Sequence, residues 1–164
     1  MSVWCESRPA CDVLDAPGMD IAERLKARTF DFAVAVYRLC ADQSLDNAAR
    51  TIRRQLINAS SSVAANYRAA CRGRSRPEFI AKIGVAIEEA DESLFWLQFV
   101  EASSILPASP GLQKLRTEAN ELVAILTASY KTAKENEQRD RARKRAERAK
   151  QRAARVNKRA ERAG

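Results

Sequence analysis

Apolar positions recur at alternating spacings of three and four along four stretches of this chain, the signature of amphipathic helices. In the first stretch Leu25, Thr29, Phe32, Val36 and Leu39 form one stripe. Asp20 followed by Glu23 supplies a capping box, so a helix is predicted over about 20–41. A second is predicted from near Asp46 to Arg72, with Ile52, Leu56, Ala59, Val63, Asn66 and Ala70 on its stripe. Its middle, Asn58-Ala59-Ser60-Ser61-Ser62, is small and polar and lets a neighbouring backbone approach. Asn66 is expected to be a buried hydrogen-bonding residue that fixes helix register. Gly73 tolerates the left-handed conformation and is the expected stop.

The third helix begins at Ser75, where Glu78 completes another capping box and Pro77 is tolerated in the first turn. Ile80, Ile83, Ile87, Ala90, Leu94 and Leu97 give it a heptad seam. Phe79, Phe95, Trp96 and Phe99 widen the apolar surface beyond that seam, which implies packing on both sides or a subunit interface. Pro107 is expected to end this helix, and Ser109-Pro110 to start a fourth with an N-cap and a first-turn proline. Leu112, Leu115, Ala119, Leu122 and Leu126 form its stripe. Four helices of about 20–30 residues with short connections predict an all-α fold, an antiparallel up-down-up-down four-helix bundle with a basic C-terminal extension.

The expected organisation is a flexible N-terminal segment over 1–18, the bundle over 19–134 and a basic Ala/Arg-rich tail over 135–164. Met19 precedes the first helix, so a shorter product starting there is conceivable. Beyond Lys134 the only apolar residues are alanines and Val156. No stripe docks this tail, which either prolongs the fourth helix or stays unfolded until it meets a polyanion.

Charge sharpens this division. The net charge is +8, yet residues 131–164 hold 14 Lys/Arg against 5 Asp/Glu, while the first 130 hold 15 against 16. Within the bundle, residues 50–82 carry eight basic residues against Glu78 alone. Such segregation marks an oriented cationic surface. The candidate nucleic-acid-binding residues are therefore Arg50, Arg53, Arg54, Arg74 and Arg76 on the body. On the tail they are Arg139, Arg141, Arg143, Lys144, Arg145, Arg148, Lys150, Arg152 and Arg155. Backbone electrostatics of this kind binds salt-dependently and without regard to sequence. Arg68 and Arg72 have two readings. Either they contact phosphates, or they pair with the acidic run Glu88, Glu89, Asp91 and Glu92. Within one hairpin they fall a turn or two short of those acids, so such pairing would cross a subunit boundary.

Catalytic chemistry finds little support. The chain has no histidine, which removes the commonest general base and the imidazole metal ligand. Di-metal bundles need Glu-x-x-His motifs, so the carboxylate run reads as a solvated or ion-paired face. Ser60, Ser61 and Ser62 lack a base and read as packing residues. Cys40 and Cys71 read as small buried or half-buried thiols; Cys5 and Cys11 could close a small loop. Tyr67, Phe95 and Trp96 could stack on bases but read more simply as core or interface. No enzyme activity, metal or cofactor is expected. No apolar run approaches the ~20 residues that span a bilayer, and the N-terminus carries no secretory signal, so a cytoplasmic protein with no membrane partner is expected.

The segments Ser62-Val63-Ala64-Ala65-Asn66-Tyr67-Arg68-Ala69-Ala70-Cys71-Arg72 and Ser75 to Ala81 resemble the four-helix-bundle family of proteins encoded in intervening sequences of bacterial 23S rRNA genes. Glu88-Glu89-Ala90-Asp91-Glu92-Ser93-Leu94-Phe95-Trp96-Leu97 and Glu118-Ala119-Asn120-Glu121-Leu122 extend the resemblance, which covers residues 20–134. That family is similar to the accessory variability proteins of diversity-generating retroelements. The resemblance implies a homo-oligomeric barrel, typically a pentamer, without catalytic activity. In the retroelement members it implies a positively charged surface that meets nucleic acid and a reverse transcriptase. The long basic tail and the first 18 residues depart from the compact pattern. The leading expectation is an oligomeric bundle that binds RNA or DNA through basic surface and tail. The alternative is a protein-interaction scaffold that docks a partner such as a reverse transcriptase, with the tail only solubilising.

Overall fold

The computed structural model describes residues 20–41 and 47–161. The expectations for residues 1–18, Met19, Cys5, Cys11, Asp46 and residues 162–164 lie outside the described residues. Four helices follow one another: α1 Ile21–Ala41, α2 Asn47–Cys71, α3 Arg76–Ala102 and α4 Pro110–Glu161. They pack in sequence order around a square, α1 on α2, α2 on α3, α3 on α4, with a thinner α4–α1 contact closing the ring. Consecutive helices run antiparallel, so α1 and α3 point the same way. This is the up-down-up-down bundle that the stripes predict.

The core is built from those stripes. Leu56, Val63, Ile83, Leu97, Leu112, Leu122 and Leu126 are almost wholly excluded from solvent. Each such side chain contributes about 1.5–3 kcal/mol by leaving water. On α1 the inward residues are Leu25, Thr29, Phe32, Val36 and Cys40, with Leu39 half-buried. On α3 they are Ile83, Ala86, Ala90, Ser93, Leu97 and Val100. The predicted seam residues Ile87 and Leu94 are half-buried beside them. The buried seam of α3 is thus turned from the predicted one toward Ala86, Ser93 and Val100. Ser60 and Ser93 are fully buried and donate back to their own helix, to the Ile57 and Glu89 carbonyls at 3.1 and 2.8 Å. They act as small packing residues, and both hydroxyls are paired.

Local structure follows the chemistry that the sequence signals, with three departures. The Ser75 Oγ accepts from the Glu78 N–H at 3.3 Å, and Glu78 Oε2 accepts from the Arg74 N–H at 3.0 Å. The capping box therefore closes on the residue before the cap. Ser109 Oγ accepts from the Leu112 N–H at 3.1 Å, as a serine N-cap should. The first departure is Gly73, whose backbone is not left-handed. Its N–H donates to the Ala70 carbonyl at 2.9 Å. A Cβ there would meet the Ala70 oxygen at 3.0 Å and the Phe79 nitrogen at 3.2 Å, so the turn needs glycine for space. The second is α3, which stops at Ala102 instead of running to Pro107. Ser104 takes a left-handed φ of 56°, and its N–H donates to the Glu101 carbonyl at 3.2 Å. The third is Asn66, which is half-buried and donates to the Ser62 carbonyl and hydroxyl, both at 3.0 Å. It braces its own helix and makes no cross-helix register bond.

The thin α1–α4 seam is held by ions. Arg28 forms a two-pronged pair with Glu118, Nε–Oε1 2.6 Å and Nη2–Oε2 2.8 Å, and also reaches Glu121. The Glu118 carboxylate, with that of Glu121, holds the Arg28 guanidinium well above its ordinary pKa. On the far side of α4, Arg116 pairs with Glu101 of α3.

Candidate nucleic-acid interface

The extension does not hang loose from the body; it is the second half of α4. This helix has 52 residues, while α1, α2 and α3 have 21, 25 and 27. At 1.5 Å per residue that is about 78 Å against about 30–40 Å. Its first half carries the inward leucines. Its second half leaves the bundle at the end where the α2–α3 turn lies. The last bond between the two is an ion pair, Arg76 Nη1 to Asp140 Oδ2 at 2.5 Å. Arg76 holds the Asp140 carboxyl below its ordinary value of 3.8. Every residue from 141 to 155 is exposed.

The projecting segment stays helical because of what it is made of. Alanine, arginine, lysine and glutamate are the best helix formers, and Arg141 pairs with Glu137 one turn back at 2.7 Å. Cations near a helix C-terminus also complement its dipole. At 100° per residue the nine tail candidates fall on two faces. Arg141, Lys144, Arg145, Arg148, Arg152 and Arg155 share an arc of about 100°, and Arg139, Arg143 and Lys150 share a narrower arc opposite. Arg139 also donates to Asn136 Oδ1. The result is a rod with a broad cationic face about 20 Å long.

The body candidates are not brought together. Arg50 and Arg54 are exposed and Arg53 half-buried near the start of α2. Arg74 and Arg76 sit at the other end of the bundle, about 30 Å away along α2. Arg74 is 92% exposed and lies 3.6 Å from Glu78, whereas Arg76 is engaged by Asp140. The single body patch of the sequence reading is thus two sites. Only its turn end adjoins the projecting helix.

Arg68 and Arg72 are exposed and form no ion pair among the described residues. The acids Glu88, Asp91 and Glu92 are exposed on α3, and Glu92 Oε1 accepts from the Trp96 indole at 2.9 Å. Among the described residues no group of three or more His, Cys, Asp or Glu could hold a metal ion, and no helix is long and apolar enough to cross a membrane. Cys40 is buried and burial pushes its thiol pKa up; Cys71 is half-buried, and both thiols are free. Tyr67 is a core residue, its phenol pushed up by burial and by the neighbouring Cys71.

A groove of about 890 Å³ between α1 and α2 was not foreseen. Phe30 and Tyr37, both 58% exposed, line it together with Ala64 and Ala65 of α2. The signal was present in the sequence, since both aromatics fall off the α1 stripe. The Arg28–Glu118–Glu121 cluster also went unnoticed, because nothing in a linear chain says which helices become neighbours.

With this geometry in place, the similarities to known proteins acquire a structural meaning. Residues 24–128 match the family model described as 23S rRNA-intervening sequence protein. The chain belongs to the 23S rRNA-intervening sequence protein family. The match stops before the projecting half of α4, so that segment is an addition to the family body. A crystal structure from the S23 ribosomal protein family of Bacteroides thetaiotaomicron, a protein of unknown function, is similar at 23% identity. Its TM-score is 0.58, with 67% of this chain and 97% of that one covered. That likeness supports the helical bundle fold of the family. No curated protein matches the chain.

Proposed function

We propose that this 23S rRNA-intervening sequence protein is a cytoplasmic, non-enzymatic homo-oligomer that binds RNA or DNA backbones through the projecting half of α4. One observation carries the reading: residues 141–155 form an exposed helix with no docking surface of its own and cations on both faces. A solubilising tail needs neither a helix nor a docked root. The Arg76–Asp140 pair fixes where the rod leaves the body, which limits the orientational freedom lost on binding. Several rods on one oligomer would act together, raising avidity without new contacts.

The test compares the full chain with a version ending at Lys134, using fluorescence anisotropy on labelled duplex DNA, duplex RNA and a single strand across a salt series. Affinity that is steeply salt-dependent in the full chain and lost in the shorter one supports the proposal. Equal, weak binding by both overturns it. That outcome favours the scaffold reading, which draws on the exposed Phe95 and Phe99 of α3 and on the α1–α2 groove as docking surfaces for a partner such as a reverse transcriptase.

A further inference from the structure

The groove between α1 and α2 leaves apolar surface that no helix of the bundle covers. Phe30 and Tyr37, both more than half exposed, line it with the small residues Ala33, Ala64 and Ala65. Its two ends differ. Lys26 and Arg68 line the end next to the start of α1, and Tyr37 and Ile57 line the end farther along. Lys26 is already held by Glu23 at 2.5 Å, whereas Arg68 is exposed and forms no ion pair among the described residues. The surface therefore suits an occupant with a carboxylate at one end and a large apolar side chain at the other.

A segment with that pattern is attached at the cationic end. Residues 1–19 lead directly into Asp20 and α1. Pro17-Gly18 is a turn signal, placed where a reversal would send the upstream chain back along the bundle. Counting back from that turn, Asp15, Leu14, Val13 and Asp12 come first, and Trp4 and Val3 come last. The groove offers the same order from the same end, with Arg68 first and the aromatic pair second. The acids Glu6, Asp12 and Asp15 outnumber the one cation, Arg8, in this stretch. Its length is sufficient. Tyr37 lies 17 residues past Asp20 on α1, which is about 26 Å. Trp4 precedes Asp20 by 16 residues, a reach of up to about 53 Å when extended.

We propose that residues 3–15 lie in the α1–α2 groove of their own chain, Trp4 against Phe30 and Tyr37 and the Asp12–Asp15 stretch beside Arg68. The tether favours this occupant over any free one, since a short flexible linker holds its ligand at an effective concentration of about millimolar. A protein partner that uses the groove must first displace the segment. A product starting at Met19 would present the groove uncovered.

Tryptophan fluorescence of the full chain tests this, because Trp4 and Trp96 are its two tryptophans. Trp96→Phe leaves Trp4 as the sole indole, and circular dichroism verifies folding. The difference spectrum between the wild type and Trp4→Ala isolates the same indole without altering Trp96. Trp4 emission is expected to be blue-shifted from that of the chain unfolded in urea, and its quenching by acrylamide slower. Phe30→Asp, at an exposed groove position, is expected to shift the emission to the red, and Arg68→Glu to shift it the same way. Phe95→Asp, exposed on α3 outside the groove, is expected to leave it unchanged. The blue shift is expected to persist on dilution, as an intramolecular contact must. Emission that matches the unfolded chain overturns the proposal and leaves the groove to a separate partner. A blue shift indifferent to Phe30→Asp places Trp4 elsewhere and overturns it too. A blue shift that disappears on dilution means that the segment sits on another copy, which overturns the assignment to its own chain.

Discussion

Replacing Lys144, Arg145, Arg148 and Arg152 by alanine removes two thirds of the broad cationic face of the projecting helix. A helix lying along a duplex presents one face, so the six cations of that arc set the number of phosphates neutralised. Each neutralised phosphate contributes about −0.9 to the slope of log affinity against log salt on B-DNA. Six contacts give a slope of about −5 and two give about −2. Between 50 and 200 mM salt the wild-type chain should thus lose about 1000-fold in affinity and the variant about 10-fold. Alanine is the strongest helix former, so helicity should hold, and circular dichroism checks it. The assay is anisotropy on a duplex of about 12 base pairs, short enough for one rod about 20 Å long. A companion variant, Arg139, Arg143 and Lys150 to alanine, strips the opposite face and should shift the slope by less than about 1. Equal slopes for the wild type and the four-alanine variant would refute the reasoning, as would a larger effect from the companion.

Three further outcomes follow from the body. Arg28→Met removes the ion cluster that closes the thin α1–α4 seam. The side chains of Arg28 and Glu118 are 23% and 28% exposed, so after solvent screening the loss should be about 1–2 kcal/mol. A domain of this size should then melt about 4–8 °C lower, and an unchanged midpoint contradicts the assignment. Arg76 depresses the Asp140 pKa, so the pairing contributes above the ordinary value of 3.8 and is lost as pH falls through the lower folded value. A carbon NMR titration should place the Asp140 midpoint below 3.8 in the wild type and return it toward that value in Arg76→Gln; identical midpoints would remove the docked root. Ser104→Gly relieves a left-handed serine with φ 56° and should raise stability by about 0.5–1 kcal/mol in urea unfolding; a decrease means that the hydroxyl holds the turn.

The stripes of α1, α2 and α4 were legible because one face of each helix meets the core. Leu112, Leu115, Ala119, Leu122 and Leu126 are all buried as their spacing requires. On α3 the reading was turned about the helix axis: the buried seam runs through Ala86, Ser93 and Val100, and the isoleucine and leucine chosen for it, Ile87 and Leu94, fall at its margin. Pro107 is the stop that the sequence signals for that helix, but it ends several residues earlier at a turn with a left-handed serine, and serine carries no such signal. Linear charge counting grouped Arg50, Arg53 and Arg54 with Arg74 and Arg76, although a helix of 25 residues separates the two sets. The fate of the tail was balanced between helix and coil. Propensity and the Arg76–Asp140 contact decide for helix, and that contact pairs residues 64 positions apart. Phe30 and Tyr37 were visible as aromatics off the stripe, yet only the packed α2 makes a groove of them.

The most direct test of the division between an inert body and a binding rod is photo-crosslinking of the full chain to nucleic acid carrying a reactive backbone or base analogue, with the linked peptides mapped by mass spectrometry. The expected crosslinks fall within residues 139–155, with the α2–α3 turn as the only secondary site. Crosslinks concentrated on the outer faces of α1 or α3, with none on the projecting helix, would contradict it.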